Sequence, residues 1–442
     1  MTPTPNFADH RRRVLEALQP DEAVLVFGSA HAVRNADTEY RYRAHSDVYW
    51  LSGWTMPDCA VFLRPGDEPF TLFVQRRDPE LETWTGRRPG PEGAVARFGA
   101  DTAHPISALP EKLADLLQGV SRLHYAIGEH PEHDAIVLGA IKASARKSRE
   151  SAADVPETFH SPSVLLHELR LRKTEDEIAA TEEAARLTAE GFAAVMSMAA
   201  PGVPEYRLEA AFEHKIRDGG GSGLAFNTIV AGGDNATILH YVENDDLLRD
   251  GELVLVDAGG EYSLYTADVS RTFPVNGRFS QAQALIYQAV LDAQEAAIAA
   301  CRPGATHREV HLTAVTHLTR SMIALGLLEG DLDTLIAGQT YKRYYMHGTG
   351  HWLGLDVHDV GATSRGGRSR VLEPGMILTV EPGLYVPASD TTAPAALRGI
   401  GVRIEDDVLI TADGRRVLTA AIPKEIAHLE AACAAPLSGT AR

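Results

Sequence analysis

Cysteine is scarce in this chain: Cys59, Cys301 and Cys433 are the three in 442 residues. They lie far apart, are odd in number and form no Cys-x-x-Cys pair. That excludes a disulfide framework and a thiolate metal site, and it predicts a reduced, cytoplasmic setting. Basic charge is also short, with 42 Lys and Arg against 60 Asp and Glu and a formal net charge of -18. Such a balance argues against nucleic acid or an anionic membrane as the main partner. No run approaches the ~18 apolar residues needed to span a bilayer, and Met1–Arg13 lacks the apolar core of a signal peptide. What remains is ordinary for a soluble globular protein, 44% hydrophobic and 23% charged, and long enough for two or three domains.

Residues 1–165 read as a smaller α/β domain. Arg11–Arg13 marks the solvated start of a helix, and Ala23–Gly28 is a short buried strand. Val61–Gly66 and Phe70–Val74 are two strands joined by a Pro-Gly-Asp-Glu-Pro turn. The segment Arg34–Trp54, which holds Asp37, mixes aromatics with charges, as interfaces and partly buried aromatic clusters both do. Thr83-Trp84-Thr-Gly reads as a loop, and Pro131 to about Arg146 as a helix. Nothing here has metal-ligand spacing.

Residues 166–442 read as a second unit built on a repeat. Thr174-Glu-Asp-Glu177 is a capping box opening an amphipathic helix with Ile178, Ala185, Phe192, Val195 and Met196 on one stripe. Leu208, Ala211, Phe212 and Ile216 mark a second helix. The order recurs after Ser280-Gln-Ala-Gln283, with Pro201-Gly and Pro303-Gly as matching punctuation. Each helix pair is followed by a histidine-bearing loop, then by a strand pair holding acids. This predicts two facing half-domains with a site in the seam. The tail from Ala431 is small and polar and is expected to fray.

The chemistry lies in those acids. Leu253–Val256 is a buried strand ending on Asp257, and a following strand carries Asp268. Buried carboxylates are costly unless paired, and two on adjacent strands repel unless a cation lies between them. In the second half, Met376–Val380 is a strand stopped by Glu381-Pro-Gly383, and Arg403 and Glu405 share one face of an alternating segment. Three histidines, His347, His351 and His358, fall within twelve residues. The four-residue spacing of His347 and His351 fits a helical zinc motif. Its glutamate is missing, however, and two glycines intervene, so a glycine-rich turn is expected. Asp257, Asp268, Glu381 and Glu405, with one imidazole assigned to His351, match two divalent cations. Hard oxygen donors with a single nitrogen favour Mn(II), Co(II) or Mg(II), although Zn(II) also occupies such sites. Two metals ~3.5–4 Å apart hold a bridging hydroxide, and the expected chemistry is hydrolysis.

In this context the motifs Val-Asp257-Ala-Gly, Ala-Asp268-Val-Ser-Arg-Thr, His347-Gly-Thr-Gly-His351, Val-Glu381-Pro-Gly and Arg403-Ile-Glu405-Asp resemble those of the pita-bread metallopeptidases. The closest resemblance is to the aminopeptidase P (Xaa-Pro aminopeptidase) family. It covers nearly the whole chain, with no ligand replaced. It implies an α/β pita-bread catalytic domain of pseudo-two-fold symmetry behind an N-terminal domain, and a dinuclear, usually manganese, site. Asp257 would chelate one metal and His351 bind the other, with Asp268 and Glu405 bridging. Glu381 would be a ligand that also handles the proton of the attacking water. His240 and His358 would stabilise the tetrahedral intermediate and position substrate. His347 would line the pocket, with Arg403 and Tyr385 in support. Asp37 and Trp84 would act across the subunit interface of a homo-oligomer. The implied substrates are peptides with proline second. An Xaa–Pro bond has no N–H to grip, and a metal-activated water needs none. A prolidase limited to Xaa–Pro dipeptides would use the same ligands, whereas a metal-free amidinohydrolase or a binding-only relative would lack them.

Overall fold

The Pro- and Gly-bounded apolar runs of the N-terminal part form one six-stranded mixed sheet. Its strand order is Thr102–Pro105, Phe70–Val74, Ala60–Leu63, Glu22–Phe27, Arg122–His124, Thr158–His160. The central Glu22–Phe27 runs antiparallel to Ala60–Leu63 and parallel to Arg122–His124. Leu25, Phe62, Phe73, Leu113, Leu117 and Val137 build a core between this sheet and the helices beside it, each burial worth roughly 1.5–3 kcal/mol. The computed structural model describes residues 5–151 and 154–434. The chain divides into two units after Arg170, five residues beyond the division read from sequence. The short helix Leu166–Arg170 stays with the first unit because Arg170 donates to buried Asp47 at 2.7 Å.

Three local expectations change. The arginines lie inside the helix Phe7–Ala17, and Arg11 covers the Phe70 ring at 4.2 Å instead of being solvated. Arg34–Trp54 splits in two: Val33–Asn35 and Thr38–Glu39 form an exposed hairpin, while Ser46–Ser52 is a fully buried helix. Thr83–Thr85 is the end of a helix, Pro79–Thr85. Asp78 caps it through the N–H groups of Glu80 and Leu81, and Pro79 fits its first turn.

The second unit repeats one arrangement. Helices Glu175–Met198 and Glu205–Asp218 precede the antiparallel strands Ile229–Gly232, Leu253–Ala258 and Val269–Pro274. Helices Gln281–Ala300 and His307–Ala324 then precede Ile377–Val380, paired with Asp406–Ile410, and Gly383–Val386, paired with Ile400–Arg403. The capping boxes are present: the Thr174 N–H donates to Glu177 and the Ser280 N–H to Gln283. The expected stripe from Ile178 to Met196 is buried. Asp406 binds the chain's end back to this core, accepting from Arg271, Gln294, Thr419 and Lys424 at 2.7–2.9 Å. Ala431–Ala434 is not frayed: it closes a helix, Ile426–Ala434, anchored by buried Leu429. The rest of the tail, residues 435–442, lies outside the described residues.

Candidate active site

Asp257 is the penultimate residue of Leu253–Ala258, and Asp268 precedes Val269–Pro274 by one residue instead of lying within the strand. The intervening turn is tight. A Cβ on Gly259 would collide with the Ala267 carbonyl, so glycine lets the two aspartate-bearing segments close on each other. From the second half come Glu381, just past Ile377–Val380, and Glu405, two residues past Ile400–Arg403. The His347–His351 segment is not helical. Gly350 crosses the Thr379 carbonyl where a side chain could not fit. His351 then pairs with Thr379 through backbone N–H to O at 2.9 Å and through Thr379 Oγ1 at 3.1 Å.

These residues meet. Donor atoms of Asp268, His351 and Glu405 lie within 4.8 Å of one another. His351 Nε2 is 3.4 Å from Asp268 Oδ2 and 3.5 Å from Glu381 Oε1. They line a cavity of about 490 Å³ together with Asp257, His240, His347, His358, Arg403, Phe226 and Asn227. His351 Nδ1 donates to the Trp352 carbonyl at 3.0 Å, which leaves the Nε2 lone pair facing the carboxylates. Burial lifts Asp268 well above the ordinary carboxylate range, reinforced by Asp257, and lifts Glu405 likewise, reinforced by Asp268. Burial also raises Glu381.

The donor set fits a divalent cation. Asp257 Oδ1 and Asp268 Oδ1 are buried without a hydrogen-bond partner, an arrangement that costs free energy until a cation satisfies them. Four oxygen-donor side chains and one imidazole form a hard-ligand site. Contrary to the sequence reading, the N-terminal unit also gathers possible ligands: His130, Glu132 and His133 lie within 4.8 Å of one another. That group is largely solvent-exposed and leaves no buried atom unsatisfied.

Around these donor side chains runs a hydrogen-bonded frame. Arg403 Nη2 donates to Asp257 Oδ2 at 2.6 Å, Nη1 to the Tyr385 hydroxyl at 3.1 Å and Nε to Ser270 Oγ at 2.8 Å. His347 Nδ1 donates to the Gly348 carbonyl at 2.7 Å, so the Tyr385 hydroxyl donates to His347 Nε2 at 2.8 Å. Burial and the nearby Arg403 charge pull His347 down to about 3, and it is neutral at physiological pH. His358 stacks edge-on against His351 with centroids 4.2 Å apart. His240 is exposed at the cavity wall. Asp37 lies in the exposed hairpin and Trp84 is 86% exposed; neither lines the cavity.

Sequence reasoning missed several residues that shape the site. Asp407 accepts the Asp268 N–H at 3.1 Å. Thr349, held by His311 and Tyr345 through its hydroxyl, receives the Glu381 N–H on its carbonyl. Ser270 follows Asp268 by two positions, the spacing of one strand face, and that was the one signal available.

The chain belongs to metallopeptidase family M24, whose model matches residues 179–412, and it carries an aminopeptidase P N-terminal domain over residues 7–125. Its fold is accordingly the two-part α/β pita-bread fold. Among its relatives, the Xaa-Pro aminopeptidase of Escherichia coli strain K12 is 42% identical over 428 residues, 96% of each chain. The solved structure of Pseudomonas aeruginosa aminopeptidase PepP superposes with a TM-score of 0.95 at 43% identity, covering 98% of this chain and 99% of that one. Zinc-substituted E. coli aminopeptidase P in complex with product gives 0.92 at 41% identity, covering 97% of each.

Proposed function

We propose that the protein is a metal-dependent aminopeptidase that hydrolyses the bond between an N-terminal residue and a following proline. The observation that carries this is the convergence of Asp257, Asp268, His351, Glu381 and Glu405 on one cavity, in a chain aligned end to end with Xaa-Pro aminopeptidases. Those relatives favour an aminopeptidase over a dipeptide-only prolidase. The ligands are assigned to two divalent cations, Mn(II) by preference, with Co(II) or Zn(II) as alternatives. When bound, the cations supply Lewis acidity toward the scissile carbonyl and an acidified water.

The protein's own side chains do the rest. Glu381, raised by burial, takes a proton from the attacking water and delivers it to the proline nitrogen as the C–N bond breaks. His240 and His358 line the wall where the carbonyl oxygen gains charge, and they stabilise it by hydrogen bonding. They also position the substrate, while His347, neutral and held by Tyr385, lines the pocket. Tyr385 and Arg403 hold His347 and Asp257 in place. Asp37 and Trp84 are assigned to contacts across a subunit interface of a homo-oligomer. The scarcity and wide spacing of Cys59, Cys301 and Cys433 support a cytoplasmic setting, and no described helix is long and apolar enough to cross a membrane.

Peptide length tests the assignment. Xaa-Pro-Xaa tripeptides and longer peptides are expected to lose their first residue, as followed by mass spectrometry. Cleavage confined to Xaa–Pro dipeptides would move the protein to the prolidases.

A further inference from the structure

The metal ligands are accounted for, but one fully buried hydroxyl among them is not. Ser270 faces Asp257 across the register of Leu253–Ala258 and Val269–Pro274. Its Oγ accepts from Arg403 Nε at 2.8 Å, and that same guanidinium grips Asp257 Oδ2 at 2.6 Å. A serine hydroxyl has a single hydrogen. With Arg403 donating to the oxygen, that hydrogen is directed at Glu405 Oε2, 2.8 Å away. The Ser270 backbone holds the same residue: its carbonyl accepts the Glu405 N–H at 3.1 Å. Arg271 Nη1 adds bonds to the carbonyls of Ser270 and Glu405 at 3.0 and 2.5 Å.

We propose that Ser270 is the positioning residue of the metal site, relaying the orientation of Arg403 to Glu405 so that one guanidinium sets ligands from both half-domains. The direct branch fixes Asp257 in the first half. The branch through Ser270 occupies one oxygen of Glu405, leaving Oε1 to the cavity. Partners that orient a ligating carboxylate typically govern metal affinity by about 10- to 100-fold, and a solvent-free hydroxyl has no water to replace it. Ser270 touches no substrate and acts only through its neighbours. The inference rests on reading Glu405 as a metal ligand.

The test is Mn(II) binding to the metal-stripped full-length protein by isothermal titration calorimetry, beside the apo melting temperature and turnover of an Xaa-Pro-Xaa peptide against metal concentration. Ser270→Ala is expected to weaken Mn(II) binding about 10- to 100-fold. Excess Mn(II) should restore its turnover, and Ser270→Thr, which keeps the hydroxyl, should bind close to wild type. Should the alanine variant fail to fold, Ser270→Cys, with a weak donor in similar volume, is read in its place. Wild-type affinity in the alanine or cysteine variant overturns the proposal. So does a threonine variant as weak as alanine with an unchanged apo melting temperature, or a loss of turnover that no metal concentration repairs. Glu405→Gln separates the two failures: if it too binds Mn(II) like wild type, the ligand reading itself is wrong and the proposal falls with it.

Discussion

In the proposed mechanism Glu381 answers two demands, as a ligand and as a carrier of protons. Its oxygen lies 3.5 Å from His351 Nε2, Thr379 Oγ1 reaches it at 3.3 Å, and burial raises its proton affinity. Glu381→Ala is therefore expected to abolish peptidase turnover, by at least about 10²-fold from the proton-transfer role alone, while the melting temperature of the apo protein changes little. Turnover of that variant retained within about tenfold of wild type under added Mn(II) would remove the role. At this scale the acids were legible because they stand at or just beyond the ends of apolar strands, where a charge is conspicuous. Ser270, Thr349 and Thr379 were not, because a hydroxyl in a strand or a glycine-rich turn is unremarkable until its partner is known. The partners of Ser270 stand more than 130 residues away in sequence.

Secondary-structure elements are tied by charge where apolar packing alone leaves them free. The helices Ser46–Ser52 and Leu166–Arg170 are joined by Asp47, which accepts from Arg170 at 2.7 Å with His167 at 3.4 Å. Burial pushes Asp47 upward, but Arg170 and His167 outweigh it, and the carboxyl ends below its ordinary 3.8. A depressed folded-state value stabilises above the unfolded value and is lost as pH falls through the folded one. The expected outcome is that wild type loses stability progressively below about pH 4, whereas Asp47→Asn loses less. At neutral pH the variant is destabilised by on the order of 3 kcal/mol, because the buried Arg170 loses its charged bond to Asp47. Denaturant unfolding at pH 3 and pH 7 checks both parts, and parallel pH profiles would contradict the assignment. Helices with capping boxes were readable because cap and stripe agree. Pro79–Thr85 was missed because its start signal, Asp78-Pro79, precedes a short polar run with no apolar stripe, and the Gly86 that closes it resembles loop composition.

For the whole molecule, cations bound only by the folded form stabilise it by mass action, about 2.7 kcal/mol at a hundredfold excess over the dissociation constant. Stripping the protein with a chelator is expected to lower its melting temperature by several degrees. Returning Mn(II) should raise it in a concentration-dependent way, as read by differential scanning calorimetry; a melting point indifferent to metal would count against a built cation site. The repeat was legible as order and punctuation, since Pro-Gly stops and caps recur. The pairing of strands that brings Asp268 beside His351 was not, because no local signal encodes contacts between halves. With the proposed ligands divided two from the first half and three from the second, a cation bound there would act as a sensor of completed folding. A chain truncated between the halves keeps only Asp257 and Asp268 of the five donors, and a nicked one keeps all five only while its two pieces stay together. Metal retention after limited proteolysis therefore reports whether the two halves are still assembled, independently of whether any peptide is cut.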